Sequence, residues 1–379
     1  MVKMTDAIQR NTAEEVIDTD LKYICANLAE EFALLSGKRL LISGGAGFLG
    51  YYLVKSILCW NTQNPGVAPI TLTVFDNYIR GVPTWLSELE AAPALTLVKH
   101  DVTRPIPDGT EDCQYIIHAA SIASPTYYRK HPIETMDANV NGLRTLLDYC
   151  LQDKNRAKSL EGLLFFSSSE IYGDPTSDNI PTPETYQGNV SCTGPRACYD
   201  ESKRYGETLC VNFAQQHGLP VKIARPFNNY GPGLKITDRR VLPDFARDVL
   251  DGDNIVMFSD GSPSRTFCYI ADAIVGYYKV LLKGQGGEAY NIGTESPEIS
   301  IADLAARVVE LAHALFDYGG RVVRQPNLDK AYLTDNPSRR CPDIAKARRH
   351  VGYHPSISIG EGLRRSLIWY ERNRLASNA

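Results

Sequence analysis

The chain lacks any long apolar run. No stretch approaches the roughly 18 consecutive apolar residues of a membrane-spanning helix, and the first residues show no basic segment followed by an apolar signal core. Neither membrane insertion nor export is expected. Paired cysteines are also missing: the nine cysteines, from Cys25 to Cys341, form no CxxC pair and no zinc-finger spacing. An odd number of scattered thiols suits a reducing compartment better than a disulfide framework, so a cytoplasmic location and no metal site are expected. Nor is there an excess of positive charge. A formal net charge of -4 and a pI near 6.0 argue against a broad surface for nucleic acid or anionic membrane, while leaving room for a local basic pocket. A small-molecule partner is the expectation that remains.

With 379 residues, 43% of them hydrophobic and 22% charged, the chain can bury a large core in one large domain or two intimately joined ones. Its organising stretch is Lys38 to Gly50, KRLLISGGAGFLG: a short apolar run, glycines at Gly44, Gly47 and Gly50, then an apolar helical continuation through Leu53, Val54, Ile57 and Leu58. A strand that enters a helix through glycines builds an anion site. Bare backbone lets a pyrophosphate approach the unpaired amides of the helix, here those around Phe48 and Leu49. The context supports a dinucleotide cradle, because Ile70 to Asp76, ITLTVFD, is a second β-branched run ending in a carboxylate. Asp76, with Asn77 beside it, is placed to accept hydrogen bonds from an adenosine ribose, which favours NAD over NADP. It lies further along than the usual spacing of roughly 20 residues, and the turn-rich insert NTQNPGVAP from Asn61 to Pro69 accounts for the extra length.

Ahead of the cradle, apolar groups at Leu21, Ile24, Cys25, Leu28, Phe32 and Leu35 place one stripe on a helix, with Asp18, Thr19 or Asp20 as its cap. This extension, residues 1–36, reads as packing without chemistry. Beyond the cradle, Leu95 to Asp101 (LTLVKHD) and Tyr115 to Ala120 (YIIHAA) read as further strands. Strands alternating with helical patterns imply right-handed crossovers and a parallel sheet. Asp101 and Val102 then sit at a strand's carboxyl end, either beside an adenine ring or as an ordinary loop acid and core valine. Ala119 and Ala120 fall at the next strand end and are counted with the cofactor. Ser121 and Asn139 either contact cofactor or cap and bridge backbone. TYYRKHPIETMDANVNGLRTLLDYC follows as one long helical pattern, then Gly162 to Ser168 as a strand.

The chemistry lies in the next segment. Ser167 to Pro175, SSSEIYGDP, is a strand ending in polar side chains at the sheet edge where open α/β sheets bind ligands. In Gly194 to Thr208, GPRACYDESKRYGET, Tyr199 and Lys203 stand four apart on one helical face. A lysine ammonium close to the phenol favours the phenolate, and the positive nicotinamide ring of NAD acts in the same direction. The tyrosine pKa is therefore expected to fall, making Tyr199 a base near neutral pH.

These stretches resemble the extended short-chain dehydrogenase/reductases that act on nucleotide sugars, the NAD-dependent epimerases and dehydratases, and within them the UDP-glucuronate decarboxylase branch. The similarity runs from about Lys38 to Leu367 and is closest in SEIYGDP, GPRACYDESKR, FNNYGPG and SRTFCYIADAI. It implies an α/β fold: a Rossmann domain with a doubly wound parallel sheet at 37–225, to which the chain returns at 268–292, and a smaller C-terminal α/β lobe at 226–379 that closes over the sugar nucleotide. ASPTYYRKHP resembles the loop lining the sugar site and places Tyr128 there. Asn228 in IARPFNNYGPG matches a position touching the substrate's phosphates or sugar, and Arg240 and Arg265 resemble arginines around the nucleotide, whose planar forks suit phosphate. Arg340 in PSRRCPDI matches the arginine that reaches the active site. A homodimer built from helices around Thr135 to Cys150 and Tyr199 to His217 is also implied.

In this family the sugar's 4-hydroxyl is first oxidised by NAD. Ser168 falls where a serine or threonine hydrogen-bonds that hydroxyl, and the next two residues choose the branch. A 4,6-dehydratase has an Asp-Glu pair there, because expelling the 6-hydroxyl needs an acid. Here Ser169 and Glu170 follow, so dehydration loses its acid. For a glucuronate, a C4 ketone makes the C5 carboxylate a β-keto acid that loses carbon dioxide without a leaving-group acid. Arg340 would hold the carboxylate, while Glu170 and Ser169 shape the pocket and assist water or proton movement. Decarboxylation of UDP-glucuronate to UDP-xylose is the leading expectation. A 4-epimerase, a 4,6-dehydratase, or a non-catalytic NAD and sugar-nucleotide binder are the alternatives, the last disfavoured by intact Ser168, Tyr199 and Lys203.

Overall fold

The computed structural model describes residues 11–110, 112–325 and 337–374. Its centre is a seven-stranded sheet built from β1 (Arg39–Ser43), β2 (Thr71–Asp76), β3 (Leu95–Lys99), β4 (Tyr115–His118), β5 (Gly162–Phe166), β6 (Val221–Pro226) and a last strand, Ala289–Ile292. Every neighbouring pair is parallel. The order is Ala289–Ile292, β6, β5, β4, β1, β2, β3, so the winding reverses between β1 and β4. That is the doubly wound arrangement, and its crevice opens at the carboxyl ends of those two strands. Helices cover both faces, which is why β4 and β5 are buried along their whole length and read as continuous apolar runs.

The chain leaves this sheet after β6. It forms the helix Val241–Asp251, a short parallel pair between Ile255–Met257 and Val322–Arg324, the helix Ile301–Phe316, and a three-stranded patch of Ser264–Arg265, Ile299–Ser300 and Arg339–Arg340. Between these pieces the buried helix Ile270–Lys283 carries it back to the sheet edge at Ala289–Ile292. The closing helix Ile359–Asn373 packs against the Ile301–Phe316 helix.

Two helical expectations are corrected. The N-terminal stripe divides into Ala13–Asn27 and Ala29–Leu35 at Leu28, and its cap is Thr12, in a reciprocal capping box with Glu15, rather than a residue at 18–20. The first ten residues of this extension lie outside the described residues. The pattern from Thr126 to Cys150 divides at Pro132, whose missing N–H ends the first turn at His131, and passes through a π-helical turn at Asp137–Gly142 before Leu143–Leu151. The extension is bound to both parts of the molecule. Asp20, fully buried, accepts from Tyr52 Oη at 2.5 Å, Tyr269 Oη at 2.6 Å and Arg365 Nη1 at 2.6 Å.

Candidate active site

A single cavity of 1490 Å³ runs from the glycine turn across the carboxyl ends of β1 and β4 to the lobe beyond β6. Its cofactor end is made mainly of backbone. Gly44 has φ +77, and a Cβ there would stand 2.4 Å from the Ala120 amide nitrogen, so only glycine lets the turn close on the end of β4. Gly47 caps the Phe48–Gln63 helix with no side-chain acceptor over the first turn, and that turn carries no acidic residue. Its leading amides are thus open to an anion, as a pyrophosphate requires. Phe48, Leu49, Asp101, Val102, Ala119 and Ala120 line the same end.

Asp76 and Asn77 also line it. The Asp76 carboxylate accepts from the amides of Ala46 at 3.0 Å and Tyr78 at 2.8 Å, which fixes its direction. Burial raises its pKa against those two bonds. Each oxygen retains acceptor capacity for a ribose hydroxyl. The two alternatives left open by the sequence separate here. The Ser121 hydroxyl is buried with no partner among the described residues and lines the cavity, as a cofactor contact would. Asn139 is not among the residues lining it; its Nδ2 donates to the Ser202 side chain, Oγ at 2.9 Å, tying the π-helical turn to the Ala197–His217 helix. Gly50 is a further correction. It faces the turn rather than the cavity, and a Cβ there would lie 2.0 Å from Gly45 O, so its task is close packing of helix on turn.

The reacting end gathers side chains from distant positions. Ser168 follows β5 and caps the 3-10 turn Ser169–Tyr172, its Oγ accepting from the Glu170 amide at 3.2 Å. Tyr199, buried on the Ala197–His217 helix, faces the Ser168 hydroxyl, which favours its phenolate. The ring of Tyr128 stacks on it with centroids 5.1 Å apart, and the Tyr128 hydroxyl is buried with no partner among the described residues. Lys203 donates to the carbonyl of Phe166 at 2.7 Å and stands 5.7 Å from the centroid of the Tyr199 ring.

The chain's own groups do not supply the lysine's share of the expected shift. Burial pushes Tyr199 up to about 12, which the Ser168 hydroxyl and the charge of Arg240 only partly offset. Burial likewise pushes Lys203 down to about 7. Burial thus works against the ammonium as well as the phenolate, and the chain's own groups do not bring the phenol's pKa down toward neutral pH.

Beyond the tyrosine lies a cluster of charge. Arg340, 5% exposed, grips Glu170 with both terminal nitrogens, Nη2 to Oε2 at 2.8 Å and Nη1 to Oε1. Arg196 holds the same carboxylate through Nη2, and its Nε lies 3.8 Å from Asp200 Oδ2. Burial opposes ionisation of Glu170, but the two guanidiniums hold its carboxyl well below the usual range. Arg265 stands behind them, buried and donating to the carbonyls of Ser264 at 2.7 Å and Ser338 at 3.2 Å. Burial, with Arg340 and Arg196 nearby, pushes it down to about 10. Arg196 was not anticipated, although it stands inside GPRACYDESKR. Its place one helical turn before the tyrosine is legible in the sequence, but its partner at position 170 is not.

Of the other expected substrate residues, Ser169 is buried at the cavity wall and Asn228 adopts φ 40, its Nδ2 donating to Thr266 O at 2.9 Å. Arg240 pairs with Asp238 at 2.9 Å and reaches Ala123 O at 3.4 Å. No group of His, Cys, Asp and Glu able to hold a metal ion occurs among the described residues. Nor is any helix among them long and apolar enough to cross a membrane.

Residues 40–293 match the model of a family described as the NAD dependent epimerase/dehydratase family. The chain is 36% identical to UDP-glucuronic acid decarboxylase 5 of Arabidopsis thaliana over 86% of its length and 88% of that protein. It is 31% identical to UDP-glucuronic acid decarboxylase 1 of Xenopus tropicalis, over 98% of the chain and 85% of that protein. Among solved structures it resembles DesIV, a dTDP-glucose 4,6-dehydratase of Streptomyces venezuelae with NAD bound, at a TM-score of 0.75 and 26% identity over 89% of this chain and 98% of that one. It also resembles the epimerase Mth375 of Methanothermobacter thermautotrophicus, at a TM-score of 0.76 and 25% identity over 93% and 98% of the two chains.

Proposed function

The chain belongs to the NAD dependent epimerase/dehydratase family, and from that premise we propose that it is an NAD-dependent carboxy-lyase converting UDP-glucuronate to UDP-xylose. The observation that carries this choice within the family is the charge beside Tyr199. Arg340, buried, and Arg196, largely shielded, both line the cavity there and both hold the Glu170 carboxylate. A guanidinium fork at the cavity wall can bind a substrate carboxylate with paired, charge-assisted hydrogen bonds, which the 6-hydroxyl of a neutral hexose cannot match. Dehydration is disfavoured on separate grounds, because Ser169 stands where an acid would be needed.

The glycine turn, the opening amides of the Phe48–Gln63 helix, Asp76 and Ser121 would hold the dinucleotide. When bound, NAD accepts a hydride from the sugar's C4 and returns it, and its positive ring favours the phenolate. Tyr199 takes the proton of the 4-hydroxyl, with Ser168 hydrogen-bonding the same oxygen. The ketone so formed lies β to the C5 carboxylate, which Arg340 orients. The bond from C5 to the carboxylate breaks, carbon dioxide leaves, and the electron pair moves onto the C4 oxygen. Tyr199, now protonated, and Ser168 stabilise that enolate by donating hydrogen bonds. A proton from solvent adds at C5 and restores the C4 ketone, and as C4 is reduced again Tyr199 returns its proton to the C4 oxygen, which gives the xylose. Glu170, held ionised by Arg196, keeps the second guanidinium aligned and shapes the pocket.

The reading extends to a homodimer and a cytoplasmic location. The exposed Tyr205, on the second of the two helical regions assigned to subunit contact, and the exposed Ile133, just ahead of the first, support the homodimer. The nine free cysteines suit the cytoplasmic location. The test is the mass of the product after incubation with UDP-glucuronate: loss of carbon dioxide is expected, while loss of water or an unchanged mass would overturn the assignment.

A further inference from the structure

Arg80 takes no part in the chemistry above, yet separate segments of the chain converge on it. It lies on the turn that follows Asp76 and Asn77, where Tyr78 adopts φ 56. Its Nη1 stands 3.2 Å from Asp238 Oδ2, and its guanidinium lies 4.5 Å over the ring of Tyr127. Its backbone carbonyl accepts from Lys235 Nζ at 2.9 Å. Asp238 is itself buried, and its carbonyl accepts from Ser124 Oγ at 2.8 Å. One junction thus joins the loop behind the ribose carboxylate, the loop carrying Ser124 and Tyr127, and the segment that enters the smaller lobe.

The junction lies on the wall of the cavity, which Arg80, Ser124, Lys235 and Asp238 all line. Its strength comes from burial on one side: the Asp238 side chain is 3% exposed, so the ion pair is screened far less than a surface pair would be. The flat guanidinium adds a contact with the Tyr127 face that a round ammonium could not reproduce. Arg80 Nη2 is buried with no partner among the described residues, leaving one donor unused inside the wall. The reaction gives a reason for such a closure. A cofactor lost between the two hydride transfers would strand an oxidised sugar, so a long residence serves the cycle.

We propose that Arg80 is a positioning residue that latches the loop after β2 to the smaller lobe through Asp238 and Tyr127, and that this latch sets how long NAD stays bound. The inference rests on the NAD-binding part of the reading above and not on the identity of the sugar. The experiment is therefore run with no sugar present. NAD leaving the holoenzyme is trapped by excess alcohol dehydrogenase and ethanol, and its reduction is followed by absorbance, for the unaltered protein and for Arg80→Ala, Arg80→Lys, Asp238→Asn and the double variant Arg80→Ala/Asp238→Asn.

Arg80→Ala and Asp238→Asn are each expected to release NAD about tenfold faster. The double variant should be no faster than the faster single one, because both changes open the same latch. Arg80→Lys should fall between, since it keeps the ion pair and loses the stacked plane. Melting temperature is recorded alongside. An Arg80→Ala protein that melts lower but releases NAD within about twofold of the unaltered rate would show packing alone and overturn the proposal, as would single effects that multiply in the double variant.

Discussion

At the cofactor end of the cavity the recognising groups are backbone amides and a carboxylate drawn from residues 44–76; at the reacting end they are guanidiniums and a carboxylate drawn from residues 170, 196, 265 and 340. The first end is local. It is made by two neighbouring strands, one turn and one helix, and its specificity comes largely from what is absent, the Cβ atoms at Gly44 and Gly47. The second is assembled only when the smaller lobe folds back and the Arg339–Arg340 strand pairs with Ser264–Arg265. Local sites can be kept through much sequence change, because backbone does the binding. Assembled sites depend on individual side chains, so they are where members of one fold acquire different substrates.

Substitutions can break this contrast or sharpen it. The largest effect is expected where the two ends meet. Tyr199→Phe should lower kcat by about a thousandfold while bound NAD and melting temperature stay unchanged; a variant with near-normal turnover would remove Tyr199 from the role of base. At the assembled end, Arg340→Gln should lower kcat/KM for UDP-glucuronate by about a hundredfold and leave the affinity for UDP within about twofold. Equal losses for both would mean that Arg340 reads the nucleotide instead of the carboxylate.

At the local end, Gly44→Ala meets both the positive φ and the Ala120 backbone at 2.4 Å. It should cost about 3 kcal/mol in thermal or denaturant unfolding and strip NAD from the purified protein. Normal stability and full cofactor content would show that the turn adapts.

The smallest effect is electrostatic. Glu170 titrates below its ordinary value of 4.5 in the folded protein, so its ion pairs add stability above that pH, and the contribution is lost as pH falls below it. Comparing melting temperature against pH for the unaltered protein and Glu170→Gln should therefore show a gap that narrows below pH 4.5. A gap of constant size would mean that the charge on Glu170 adds nothing to folding.

The same contrast explains what could be read before folding. Gly44, Gly47, Asp76, Tyr199 and Lys203 stand at spacings that local geometry dictates, so a strand, a turn and one helical face were enough to find them. Arg196 escaped because nothing in its neighbourhood announces a partner at position 170, and Arg80 because its partner Asp238 lies across the cavity in another lobe. Gly50 was drawn to the cofactor by proximity in sequence, whereas packing turned it away. The lysine's share of the Tyr199 shift was not legible for a different reason. Four-residue spacing sets how near Lys203 stands, but not the burial that outweighs its charge and lowers its own pKa.

That shift places the weight of the account on the bound nicotinamide and on a ketone formed at C4 before carbon dioxide departs. The most direct measurement is a single turnover of the holoenzyme with UDP-glucuronate, following the near-ultraviolet absorbance of reduced nicotinamide and carbon dioxide release together, with and without deuterium at C4. The account predicts a transient rise that precedes release and is slowed by the deuterium. Release of carbon dioxide with no such rise and no C4 isotope effect would contradict it.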